Sequence, residues 1–248
     1  MSGKGKKTLR LDKILSHMGV GTRSELKKMV KQGRIHVDGK AVKDSGVQVN
    51  PEVNVIEADG ERIVYREMIY LMLHKPPGVV SATEDNRDKT VLDLLRKEDR
   101  EFNPFPVGRL DKDTEGLLIL TNDGPLAHDL LSPRKHVPKT YEARVLGNVD
   151  EADVQRFNAG IQLDDGYKTL PAELTILGQE ETEEGTVSSI SLIIHEGKFH
   201  QVKRMFQAVG KRVVYLKRVA MGELELASDL AIGSYRELTA DELSLLRK

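Results

Sequence analysis

The sequence predicts an α+β protein in two parts. A small N-terminal module of two short helices and a few strands precedes a larger, mixed domain built on a largely antiparallel sheet. Three observations carry this. With 248 residues the chain is long enough for two domains that each bury a core. Over residues 9–67 helical spacing gives way to strand alternation. From residue 68 to 248 strand-like apolar runs dominate and helices intervene irregularly.

Taken in order, residues 1–8, MSGKGKKT, have no apolar periodicity and read as a disordered basic arm. In LRLDKILSHMGV, Leu11, Ile14, Leu15 and Met18 fall at helical spacing, with Gly19 as the stop. Thr22 and Glu25 form a capping box for a second helix, whose buried stripe is Leu26, Met29 and Val30 and which Gly33 ends. Arg23, Lys27 and Lys31 recur at i, i+4, i+8 and make a basic ridge on the opposite face. RIHVDGKAVK alternates around Asp38-Gly39, a two-residue hairpin signal, and further strand-like stretches run through Val47, Val49, Val53, Val55 and Ile63.

In the second part Ile69, Leu71 and Leu73 alternate with Tyr70 and Met72 in a strand that Pro76-Pro77-Gly78 breaks. Later strands are expected in GLLIL, TYEARVLG, SSISLIIH and KRVVYLKRV. A helix is expected from Gly197 to Ala208, where Phe199, Val202, Met205, Phe206 and Val209 repeat at three to four and Gly210 ends the run. GQEETEEGT reads as an acidic surface loop.

Composition removes several chemistries. With no cysteine there is no thiolate nucleophile, no thiolate zinc site and no zinc-deaminase pattern. None of the seven histidines forms H-E-x-x-H, and neither G-x-G-x-x-G nor a P-loop occurs; Gly19-Val20-Gly21 fails because Ser24 stands where the third glycine belongs. No N-terminal apolar segment and no membrane-length apolar run is present, so a cytoplasmic chain is expected, with no membrane partner. The net charge of −1 hides an asymmetry: residues 1–43 carry twelve Lys/Arg against three acids, leaving the other 205 residues at −10. A basic head on an acidic body points to a polyanionic partner, nucleic acid first. A second patch lies between His195 and Arg218, with seven Lys/Arg and one acid, Glu196.

GRLDKDTEG, residues 108–116, admits three readings. As a calcium loop, Asp111, Asp113, Glu115 and Gly116 fill positions 1, 3, 5 and 6, but position 12 is Asn122 rather than Glu and the second half is an apolar strand. As a D-x-D-x-T phosphatase it fails because Thr114 comes one place early. The third reading needs one carboxylate. In an extended segment Arg109 and Asp111 point to one side and Leu110 to the core, so a guanidinium beside the acid keeps it ionised. A plain surface Arg–Asp pair stays open on these residues alone.

GRLDKDTEGLLILTNDG resembles the signature of the RNA pseudouridine synthases of the RsuA branch of the RsuA/RluB/RluE/RluF group. HKPPGVV, SPRKHVPKTYEARV, EGKFHQVKRMF and VVYLKRVAMG follow in the same order. Residues 9–67 resemble the small RNA-binding S-four domain, through RLDKIL and TRSELKKMVKQGRIHVDG. The resemblance implies that Asp111 is the catalytic aspartate, that Arg109 props the site open when the uridine is flipped, and that Tyr141 lies against the base. It further implies that Lys203 pairs with the aspartate, that Leu216 packs beneath the base, and that Asp113 and Glu115 carry no chemistry. Arg23, Lys27, Lys31 and Arg34 would then face phosphates. The implied function is isomerisation of one uridine in small-subunit (16S) rRNA, by a monomer without cofactor or metal. The partner would be 16S rRNA or a small-subunit assembly intermediate. A large-subunit (23S) enzyme of the RluB kind, or a non-catalytic RNA-binding assembly factor, are the alternatives. With 11 Phe/Tyr and no Trp, recognition is expected to lean on backbone charge and RNA shape rather than on an aromatic platform.

Overall fold

The structure, a computed structural model, describes residues 8–247; the expected basic arm lies outside them except for Thr8. The chain divides into two compact units, residues 8–69 with 96–103, and residues 70–95 with 104–247.

The first unit contains β1 (Leu9–Arg10), α1 (Leu11–His17), α2 (Arg23–Lys31), β2 (Ile35–Val37), β3 (Lys40–Ala41), β4 (Gln48–Val49), β5 (Ile56–Ala58) and β6 (Glu61–Ile63). The expected signals act locally. Thr22 N donates to Glu25 Oε2 at 2.8 Å and Glu25 N to Thr22 Oγ1 at 3.4 Å, closing the capping box of α2. Asp38 and Gly39 both adopt positive φ, 51° and 73°, the backbone a two-residue hairpin turn requires between β2 and β3. Leu11, Ile14 and Leu15 of α1 and Leu26, Met29 and Val30 of α2 close over Ile35, Val49 and Ile56 as one core. The strands form a sheet ordered β3-β2-β5-β6 and a separate β1-β4 pair. Residues 96–103, which the sequence reading left in the second part, join this unit. Their helix α3 (Lys97–Arg100) leads to Phe102, whose buried ring meets His17 edge-on at 4.6 Å.

The second unit is built on β7 (Tyr70–Lys75), β8 (Phe105–Pro106), β9 (Glu115–Thr121), α4 (Gly124–Leu131), β10 (Lys139–Leu146), α5 (Glu151–Ala159), β11 (Glu173–Thr182), β12 (Gly185–Ile194), α6 (Gln201–Ala208), β13 (Arg212–Met221), β14 (Leu224–Glu225), β15 (Tyr235–Glu237) and α7 (Ala240–Leu245). Its sheet runs β11-β12-β10-β13-β9-β7-β15, with β14 on β13 and β8 on β9. Every pairing is antiparallel except β13 with β9, which touch in parallel only at Lys217–Glu115 and Arg218–Gly116. β9 is buried on both faces, which explains its unbroken apolar run; β10 alternates buried and accessible residues. Met72, Leu117 and Ile119 pack with Leu126, Ala127 and Leu130 of α4, while Phe157 of α5 meets Phe206 of α6 at 4.8 Å.

Two local expectations are corrected. The acidic stretch GQEETEEGT is not a loop but the tip of the β11–β12 hairpin, paired from Glu173–Ile193 out to Thr182–Gly185. Beyond Leu174 both faces of β11 are open, so no apolar alternation marks it as a strand. The helix expected from Gly197 starts at Gln201; Phe199, assigned to its buried stripe, lies before it and is 77% exposed. The sequence reading also passed over α3, α4, α5 and α7. The capping box of Asp150 with Asp153 was a legible signal for α5.

Candidate active site

The turn that opens β9 is held from three sides. Residues 108–110 are irregular, with Gly108 at φ +78°, Arg109 exposed and Leu110 buried. Leu110 N donates to Ser81 Oγ at 3.0 Å, and Ser81 Oγ donates to the Leu110 carbonyl at 2.9 Å. Thr114 N closes the turn on the Asp111 carbonyl at 3.1 Å. Underneath, Lys75 at the end of β7 is fully buried. Its ammonium donates to the carbonyls of Thr114 at 2.8 Å, Asp111 at 3.0 Å and Pro76 at 3.1 Å, with that of Lys112 at 3.4 Å. Gly78 N adds a bond to the Lys112 carbonyl at 2.7 Å. Burial pulls the Lys75 pKa down to about 8, against the pull of Asp111, Asp113 and Glu115.

This frame presents the Asp111 carboxylate, one-quarter exposed, to the start of α6. Lys203 Nζ lies 2.9 Å from Asp111 Oδ2 and 2.6 Å from Asp113 Oδ1, and His200 Nε2 lies 3.5 Å from Asp111 Oδ1. Burial works against the Lys203 charge, but the hydrogen bonds to Asp113 and Asp111 outweigh it and hold its pKa above the ordinary lysine value. Burial also opposes the Asp113 charge, and there too Lys203 prevails and keeps the carboxyl below the usual range. Glu115 turns elsewhere and accepts from the Tyr215 hydroxyl.

The sheet register gathers a second group of side chains. Tyr141 stands opposite Arg218, and Ala143 opposite Leu216. Directly paired residues share a face, so Tyr141, Leu216 and Arg218 line one side of β10 and β13, all three buried. Arg218 in turn stands beside Gly116 of β9 and donates through Nε to the Leu117 carbonyl at 2.9 Å. The contact is close: a Cβ on Gly116 would lie 2.2 Å from the Arg218 carbonyl oxygen, and Gly116 has φ +111°.

Of the expected residues, Asp111 and Lys203 meet directly, and Tyr141 and Leu216 share one face of β10 and β13. Arg109 makes no ion pair with Asp111 among the described residues; the Lys203 ammonium and the His200 ring beside that acid come instead from α6 and the residue before it, across the fold. The expected basic patch from 195 to 218 is largely neutralised. Arg204 pairs with Asp164 and Asp165, Lys211 with Asp153, Arg212 with Glu184, and Arg218 is buried. In the first unit Arg23, Lys27 and Lys31 are exposed along α2, whereas Arg34 is forked onto Asp59 at 2.5 and 2.6 Å. Sequence reasoning missed Lys75 and His200 as neighbours of the acid, and Phe199 stacked on His200. A lysine closing an apolar strand just before Pro-Pro-Gly was the signal for the first.

Comparison with known proteins decides the family. A family model described as RNA pseudouridylate synthase matches residues 69–208, and one described as S4 domain matches residues 9–55. The chain belongs to the RNA pseudouridine synthases. An uncharacterized RNA pseudouridine synthase of Bacillus subtilis is 52% identical to this synthase over 97% of the chain and 99% of its own length. Ribosomal large subunit pseudouridine synthase B of the same organism is 39% identical, covering 96% and 95%. Ribosomal small subunit pseudouridine synthase A of Vibrio cholerae is 38% identical, covering 97% and 100%. A crystal structure of a pseudouridylate synthase superposes with a TM-score of 0.65 at 35% identity, covering 96% of the synthase and 99% of that chain. The synthase is thus an isomerase of the RsuA/RluB type with an appended RNA-binding domain. Among its described residues no helix is long and apolar enough to cross a membrane.

Proposed function

We propose that the synthase converts one specific uridine of small-subunit (16S) rRNA to pseudouridine, with Asp111 as the catalytic carboxylate. The observation that carries the assignment of Asp111 is its placement: an accessible carboxylate on a turn fixed by buried donors, 2.9 Å from the Lys203 ammonium. Pseudouridine formation breaks the bond from uracil N1 to the ribose, turns the base and rejoins it through C5. N1 gains a proton and C5 loses one, so atoms and electrons balance without a redox partner. The carboxylate adds to ring C6, captures the anomeric carbon, or assists removal of the ribose 2′ proton, and in each route Lys203 holds it in place from 2.9 Å.

The remaining roles follow from position. Tyr141 and Leu216, on one face of the sheet, keep the detached base against the acid. Exposed Arg109, two residues from Asp111, fills the vacancy left by the flipped nucleotide and offsets part of the unstacking cost of a few kcal/mol. Arg23, Lys27 and Lys31 supply phosphate contacts from α2, and Arg34, tied to Asp59, supplies less. The protein acts as a cytoplasmic monomer on rRNA or on an assembling small subunit. The 16S assignment rests on HQVKRMF and the SPRKH…KTY block. The relatives named for the large and small subunits stand at 39% and 38% identity, so the test covers both rRNAs. Pseudouridine is mapped on 16S and 23S rRNA from a deletion strain carrying wild type or Asp111→Asn. The expected result is one 16S position that wild type restores and the variant does not. A restored 23S position would move the target to the large subunit, and equal restoration by both proteins would remove Asp111 from the chemistry.

A further inference from the structure

Among the described residues Phe199 is the most exposed of the large apolar side chains, 77% accessible, on the short turn between β12 and α6. The other exposed Phe and Tyr rings of the second unit, Tyr167 and Tyr215, are engaged by charged neighbours. Tyr167 donates to Glu196 and lies under the Lys198 ammonium at 4.3 Å, and Tyr215 donates to Glu115. Phe199 has one ring neighbour, His200, stacked at 3.7 Å between centroids and 21° between planes. His200 in turn places Nε2 3.5 Å from Asp111 Oδ1. An open aromatic face therefore stands one ring away from the carboxylate.

The turn beneath it is braced. Gln201 Oε1 accepts from Lys198 N at 2.8 Å, and Gln201 N donates to the Lys198 carbonyl at 3.1 Å. Buried Gln201 also donates to Glu196 at 3.0 Å, while Arg204, itself held by Asp164 and Asp165, reaches the Phe199 carbonyl at 3.4 Å. His200 sits at φ +50°, a left-handed backbone that a non-glycine residue adopts at a cost. A ring held out on a fixed, strained turn is preorganised, so little freedom is lost when something stacks on it. Every nucleobase has a π-face, and stacking on aromatic side chains is the usual way unpaired RNA is gripped.

We propose that Phe199, backed by His200, is a stacking shelf for the nucleobase next to the target uridine in the substrate RNA. It is a specificity-determining contact rather than a group in the chemistry. When the uridine swings out to Asp111, its neighbour loses a stacking partner, and the shelf replaces that partner at the mouth of the site. The preference it imposes is for an unpaired base, purine over pyrimidine, at one flanking position.

The test uses the full chain and an RNA fragment bearing whichever uridine the enzyme is found to modify. A set of fragments carries an abasic nucleotide at each of the two positions on either side. Phe199→Ala is expected to raise KM for the intact fragment roughly ten-fold, about 1.4 kcal/mol, with kcat little changed. Phe199→Trp should restore it. On one abasic fragment wild type and Phe199→Ala should become equal. Unchanged KM for Phe199→Ala, or the same ten-fold loss on all four abasic fragments, overturns the shelf. A fall in kcat alone would make Phe199 a support for His200 and Asp111, and overturns it too. A target in either rRNA gives the same outcome.

Discussion

The buried ammonium of Lys75 donates to the main-chain carbonyl of Asp111 at 3.0 Å, so the turn that carries the proposed catalytic acid is fixed from beneath by a charge. Its folded-state pKa of about 8 lies below the ordinary lysine value of 10.5, so the folded chain releases this proton first as pH rises. The cost of burying the charge is carried in full below pH 8 and relieved between about 8 and 10.5; the stability contribution of this group therefore rises across that window. The brace weakens over the same window, because a neutral amine has two N–H donors for its carbonyls and an ammonium has three. Activity is expected to fall above about pH 8 without a matching fall in melting temperature. Lys75→Met should be poorly active throughout and lack that limb. A parallel loss of activity and fold in wild type would contradict the brace.

Lys203 is shared between two acids, and the two should respond differently. Asp111→Asn is expected to lower kcat at least about a thousand-fold while RNA binding stays within a few-fold. Lys203→Met removes the cation beside the acid and should cost roughly a hundred-fold in kcat. Asp113 is mostly exposed, so Asp113→Asn, which leaves the Asp111–Lys203 pair in place, should stay within about three-fold. Single-turnover rates on the mapped fragment separate these cases. A hundred-fold loss in Asp113→Asn would make the second acid part of the chemistry.

Gly116→Ala tests the junction of β9 and β13. The new Cβ would meet the Arg218 carbonyl at 2.2 Å from a backbone at φ +111°, and neither strand can retreat without breaking the sheet. A loss of about 3 kcal/mol or more is expected, read as a lower urea midpoint. A midpoint matching wild type would show that the junction is not rigid.

In the first unit, Lys27→Glu with Lys31→Glu should weaken RNA binding and lower the slope of log K against log salt by roughly 1.5–2. Arg34→Ala should do much less, since its guanidinium is already held by Asp59. Equal effects from both variants would show that exposure along α2 does not govern phosphate contact.

The three acids of the 108–116 loop part company: Asp111 and Asp113 go to Lys203, and Glu115 goes to Tyr215. Activity is expected to survive EDTA. A loss restored by added divalent cation would return a metal to the site.

Whatever depends on near neighbours in the chain was legible beforehand. Thr22 and Glu25 announce a helix start, Asp38-Gly39 a hairpin, and the run from Leu117 to Leu120 a buried strand, because caps, turns and periodicity are settled within a few residues. The ordered blocks around Asp111, Tyr141 and Lys203 pointed to the family for the same reason: each is a contiguous string. Phe199 shows the limit. It sits at helical spacing with Val202 and Phe206, yet an αL residue at His200 starts the helix later and turns the ring outward. Nothing in the basic count from 195 to 218 told which charges Asp153, Asp164, Asp165 and Glu184 would neutralise. The family resemblance named Lys203 as the partner of Asp111, but strand alternation alone pointed to Arg109. Arg109 is close in sequence but exposed and makes no ion pair with Asp111 among the described residues, whereas Lys203, ninety positions from Asp113, arrives because β12 delivers α6 to the turn. Local strings name the parts; only long-range strand pairing, which no periodicity encodes, decides which charges meet.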